Sequence, residues 1–269
     1  MGTLFKHAKE FVGPIVETLR QQTLPAAFQS NVQKRLKFAI FVLDDMIEHL
    51  GPSYFPEPDF MTIVQTMCRF SGNKSAALRQ ASTYGIGVIA QHSGNAFVKY
   101  SEMCLKGLEQ AIQYQMSDKV NEKKEKSTQF HHARDNAIAS LGKVLKYQKA
   151  LIKSNPQIYN QLAMHWLGLL PITHDKEEGS FQYECLGEMV VQEPDVLFGQ
   201  DPQGAVNQVV KIFAEAWQDS YLNDTNKPAI ANAVRYLNNS ANAQFMTACQ
   251  QSGINDEMRT RLQQAFNHQ

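Results

Sequence analysis

Two short stretches of the sequence concentrate the side chains that bind metals or move protons. In LPITHDKEEGSF (170–181), His174, Asp175, Glu177 and Glu178 crowd into five positions. In DDMIEH (44–49), Asp44 and Glu48 stand one helical turn apart, and Asp45 and His49 share that spacing. Carboxylate and imidazole pairs so arranged can hold a divalent ion or share a proton. A closed metal site needs three or four ligands, and no nearby spacing supplies the rest. A metal-dependent hydrolase using Asp44, Glu48, His174 and Glu178 is therefore the weaker reading, and no metal, cofactor or catalytic residue is expected. Around the first stretch, Pro171 ends one helix and Asp175 can cap the next, with Glu177 and Glu178 in its first turn. Carboxylates there accept the free N–H groups and complement the positive helix end.

Other candidates weaken in the same way. His131 and His132 read as the entry of a helix, with Asp135 in its first turn. Lys143, Lys146, Lys149 and Lys153 flank Tyr147, a pattern that can contact nucleic acid. The sequence pI of about 7.1 argues for a solvated helix flank instead, and no nucleic-acid partner is expected. There is no GxSxG, Walker A loop, HExxH or strand-bound GxGxxG. Trp166, Trp217 and Phe213 are read as residues packed between helices.

The elements that must position these residues are helices. Apolar residues recur at three- and four-residue steps: Leu36, Ile40, Leu43, Ile47; Ala137, Leu141, Val144, Leu145; Phe181, Cys185, Leu186, Met189. No apolar–polar alternation is sustained, and most of the ten prolines fall at expected helix boundaries. The four cysteines, Cys68, Cys104, Cys185 and Cys249, form no CxxC pair and read as buried thiols of a reducing compartment. No signal-peptide core or membrane-length apolar run is visible, so a soluble, intracellular, monomeric protein is expected. Charge balances overall but segregates. Residues 117–153 carry nine Lys/Arg against four Asp/Glu, and 175–224 carry two against eleven. The acidic zone can attract basic partners.

Overlaying the helices reveals a repeat. RQASTYGIGVIA (79–90) and RDNAIASLGKVL (134–145) each place a Gly eight residues after an Arg, at an offset of 55. GSFQYECLGEMV (179–190) continues the register 45 residues on, and LKFAIFVLDDMI (36–47) precedes RQASTYGIGVIA by 43. The long offset is explained by a charged insert at 117–129, expected to be flexible. Repeats of this length built of two helices predict an all-α solenoid, a superhelix of about six hairpins forming one array over 1–269. A recurring Gly lets stacked helices approach, offsetting a helix-propensity cost of roughly 1 kcal/mol.

FVLDDMIEHLGP, LRQASTYGIGVIAQHSG, ARDNAIASLGKVLKY, HWLGLLPITHDKEEGSFQYECLGEMV and IANAVRYL occur in that order. Together they resemble the C-terminal part of karyopherin-beta (importin-beta family) nuclear import receptors, closest to the importin five class. The segment bearing His165, Trp166, Pro171, His174, Asp175, Lys176, Glu177 and Glu178 is the most specific signature. The resemblance implies HEAT repeats whose second helices, here 34–50, 75–92, 132–148 and 176–192, line an inner face. It implies a non-enzymatic receptor shuttling between cytoplasm and nucleus. Its partners would be cargo with basic localisation signals, the Ran GTPase and Phe-Gly nucleoporins. Asp44, Asp45, Glu48, Glu184 and Glu188 would lie on or near the inner face and meet basic partners. The alternative is a HEAT-repeat scaffold of a non-transport assembly.

Overall fold

The apolar stripes become the buried faces of helices. Helix α4 (Gln33–Leu50) buries Leu36, Ile40, Leu43 and Ile47, and α8 (Thr128–Tyr147) buries Ala137, Leu141, Val144 and Leu145. Helix α11 (Lys176–Gln192) is turned relative to its expected stripe. Phe181 and Met189 are only half-buried, while Gly179, Gln182, Tyr183, Leu186, Gly187 and Val190 face the interior. Gly187 on that face admits the backbone of Ala229 and Gly179 admits the Tyr221 ring, so close packing rather than apolar bulk sets the orientation.

The structure is a computed structural model describing residues 2–7, 12–30, 32–117, 128–199, 201–218, 220–251 and 253–268. Most of the expected insert at 117–129 lies outside the described residues. Among the described residues there are sixteen α-helices and no strand, so the chain is all-α. It divides into two compact units, Met1–Leu151 and Ile152–Gln269.

In the first unit, α1 (Gly2–His7), α2 (Gly13–Thr18) and α3 (Leu24–Phe28) precede α4. Two hairpins follow: α5 (Glu57–Ser71) with α6 (Ala76–His92), and α7 (Ser101–Ser117) with α8. Helices α4, α6 and α8 pack side by side as one layer, with α5 and α7 side by side as the other. The division between units falls within the short α9 (Lys149–Ile152). The second unit repeats the scheme with α10 (Pro156–Leu169), α11, the short α12 (Pro194–Phe198), α13 (Pro202–Ala216), α14 (Asn226–Ser240), α15 (Asn242–Gln250) and α16 (Asp256–Asn267). There α11, α14 and α16 form one layer and α10, α13 and α15 the other. This adjacent pairing is that of a HEAT hairpin array. The expected second helices coincide with α4, α6, α8 and α11 to within four residues at each end.

Close approach explains the recurring glycines. A Cβ on Gly87 would stand 2.6 Å from Ser140 Oγ of α8, and one on Gly187 would stand 2.7 Å from the backbone of Ala229 in α14. Polar ties cross the same seam in the first unit: the Ser140 hydroxyl donates to Thr83 O (2.5 Å) and the Gln148 amide to Ala90 O (2.6 Å). Boundaries follow local chemistry. Asn155 caps α10, Asp201 caps α13 and Asn255 caps α16, with Pro156 and Pro202 at the first turn of their helices. Gly51 ends α4 at φ 90°, a conformation that favours glycine. No described helix is long and apolar enough to cross a membrane.

Candidate functional site

The acidic residues of α4 divide by depth. Asp44 occupies the stripe itself, four residues after Ile40 and three before Ile47, and is 1% exposed. It therefore does not reach the surface where the basic partner was expected to meet it. Among the described residues, neither carboxyl oxygen has a hydrogen-bond partner. The side chain lies against Gly85 of α6, where a Cβ would stand 2.4 Å from Asp44 Oδ1. Burial, then the charges of Asp45 and Glu48, push the Asp44 carboxyl well above the ordinary carboxylate range, against a smaller pull from Lys143. Asp45 and Glu48 are half-exposed. Asp45 stands beside Gly2 of α1, and Glu48 accepts the Tyr84 hydroxyl at 3.0 Å. His92, at the end of α6, has a buried Nε2 with no partner, and burial lowers its pKa.

The basic residues are less solvated than their type suggests. Lys143 is buried on α8, its ammonium 4.8 Å from the centroid of the Tyr84 ring, and so does not belong to a solvated flank. Arg79 is fully buried, stacked 3.9 Å from the Tyr114 ring centroid and donating to Asn73 O at 2.8 Å. Helix α8 starts at Thr128, a turn ahead of His131 and His132, so Asp135 falls past the first turn and is buried, accepting from Arg134 at 3.2 Å. In the second unit, Lys153 pairs with Glu193, which also accepts the Tyr159 hydroxyl at 2.6 Å. Burial, followed by that hydrogen bond, raises the Tyr159 pKa.

The second acidic stretch is a helix start. Asp175 Oδ1 accepts the Glu178 N–H at 3.2 Å, and Lys176 and Glu177 are exposed in the first turn. His165 and His174 are exposed, Glu178 is buried, and Glu184 and Glu188 are half-exposed further along α11. A polar network fixes the turn before it, where the Leu170–Pro171 peptide is cis. Fully buried Trp166 donates its indole N–H to Gln182 Oε1 at 3.1 Å. The Tyr183 hydroxyl donates to Ile172 O at 2.6 Å, and the Tyr221 hydroxyl to Thr173 O at 2.9 Å. The two tyrosine rings meet edge to face at 5.7 Å. Sequence reasoning missed Gln182, Tyr183 and Tyr221. Gln182 and Tyr183 sit at helical spacing from Gly179 and Leu186, which is the signal that marks them as interior. Among the described residues, no group of three or more His, Cys, Asp or Glu is placed to hold a metal ion.

Two curated proteins match over much of the chain. Importin subunit beta-3 of Saccharomyces cerevisiae is 25% identical over 200 residues, 74% of this chain. A probable importin-5 homolog of Dictyostelium discoideum is 28% identical over 141 residues, 52% of this chain. The chain is a distant homologue of these two importins over most of its length. No family model matches it. The matched regions span 17% and 12% of those two importins. The paired helices are the fold that the sequence repeat describes.

Proposed function

We propose that the chain is part of a nuclear transport receptor that works by binding, not by catalysis, and that shuttles between cytoplasm and nucleus. The observation that carries this reading is the importin similarity over most of the chain, joined to helices paired in the hairpin order of that family. Cargo with basic localisation signals, the Ran GTPase and Phe-Gly nucleoporins are the partners that this reading assigns to the whole receptor.

Within the segment, Asp45 and Glu48 on α4 and Glu184 and Glu188 on α11 are the carboxylates we assign to basic cargo. All four are half-exposed on second helices, and their charge favours Lys- and Arg-rich partners by complementary potential. Asp44 is left out because it is buried. Titration of a labelled Lys/Arg-rich peptide against the 269-residue chain tests the assignment. Replacing the four by Asp45→Asn, Glu48→Gln, Glu184→Gln and Glu188→Gln is expected to weaken binding by about tenfold, ~1.4 kcal/mol, at low salt. Equal affinity of the two proteins would remove these residues from the binding of basic cargo. Retention of the chain on immobilised Phe-Gly repeats tests the transport reading, and passage without delay favours the scaffold.

A further inference from the structure

Asp44 is the one acidic residue of α4 that transport by surface charge does not use, and its surroundings give it another role. The carboxyl is enclosed where α4 meets α6, against Gly85 and the Met67 thioether of α5. Both of its oxygens lack a hydrogen-bond partner among the described residues. The charged and titratable groups around it are Asp45 and Glu48 on its own helix, Tyr84 and His92 on α6, and Lys143 on α8. Helix α1 reaches α4 through Gly2, beside Asp45, and carries Lys6 and His7 in its last turn. The nearby cation, Lys143, has its ammonium over the Tyr84 ring, and its pull on the Asp44 carboxyl is outweighed by burial and the charges of Asp45 and Glu48. A carboxylate enclosed without a donor costs far more than a carboxylic acid in the same place.

We propose that the seam between α4 and α6 is a proton-linked joint, closed over Asp44 as the neutral acid and parted by water when that carboxyl ionises. The proton goes to solvent, and the water that enters supplies the hydrogen bonds the carboxylate lacks. The elevated folded-state pKa has a definite sign. Above the ordinary carboxylate range the folded seam binds more protons than the open one. Its stability falls as pH rises toward the folded-state pKa and levels off beyond it. His92 works the other way: its lowered pKa strengthens the closed seam as pH rises through the imidazole range. A joint governed by Asp44 loosens with rising pH, and one governed by His92 tightens.

Hydrogen exchange followed by mass spectrometry on the 269-residue chain, from about pH 5 to about pH 9 and corrected for intrinsic rates, tests this. Peptides from α11 and α14 serve as the internal reference. The opening ratio of α4 and α6 relative to that reference is expected to climb by up to about tenfold per pH unit while Asp44 titrates. In Asp44→Asn the climb disappears. Asp44→Leu, which removes both charge and titration, serves if the amide does not fold. A relative opening ratio that stays flat or falls with pH in the parent chain overturns the proposal, as does an unchanged slope in either variant. Both readouts are independent of cargo binding.

Discussion

The two acidic stretches use the same residue types and come to opposite ends. At the start of α11 every expected element of a helix cap is present: Asp175 accepts from the backbone, and Lys176 and Glu177 stay in water. On α4, Asp44 is carried inside, and both oxygens are without a hydrogen-bond partner among the described residues. Position in the hairpin, not the chemistry of the side chain, separates them. A carboxylate at a helix start meets free N–H groups. In mid-helix on the packed face it meets no free backbone N–H, because those of its own turn are already bonded within the helix.

The largest expected effects come from emptying buried sites in the two units. Trp166→Ala empties a fully buried site and orphans Gln182, and should cost about 3–5 kcal/mol in urea unfolding. Leu141→Ala, the equivalent test of the first unit, should cost about 2–5 kcal/mol. A loss far below that range would mean the α8 face is packed by other residues. Tyr183→Phe deletes only the hydroxyl that holds Ile172 O, for about 1 kcal/mol. Asp175→Ala removes the cap for about 1 kcal/mol, while Asp175→Asn keeps an acceptor and should cost a few tenths. The contrast sharpens if the pH slope of stability responds to Asp44→Asn and not to Asp175→Asn.

Much of the architecture was legible because it is written in spacing. The stripes of α4 and α8 and the Gly87–Gly187 register depend on local periodicity, and the structure places them as read. Three of the four cysteines are buried as expected, and Cys249 is partly exposed. What was not legible is which charged residues follow the stripe inward. Asp44, Arg79, Asp135 and Lys143 were assigned to surfaces, or passed over, because of their type, yet each is buried. Asp44 shows how such a residue can be found: its place between Ile40 and Ile47 already puts it on the packed face. The rings that cover Arg79 and Lys143, Tyr114 and Tyr84, lie far away in sequence. Short-range pattern carries no trace of them. The rotation of α11 was hidden for a related reason, since Gly179 and Gly187 mark a face by what they lack.

The glycine seams have a mechanical consequence. Where Gly187 meets the backbone of Ala229, two main chains touch with no side chain between them, so the contact has little compliance. Where Gly85 meets Asp44 and Met67, the contact is made by a carboxyl group and a pliable thioether, which can be displaced by rotation about single bonds. Under load, the first junction behaves as a stiff spring and the second as a soft one, and strain within the first unit will gather where α4 crosses α6.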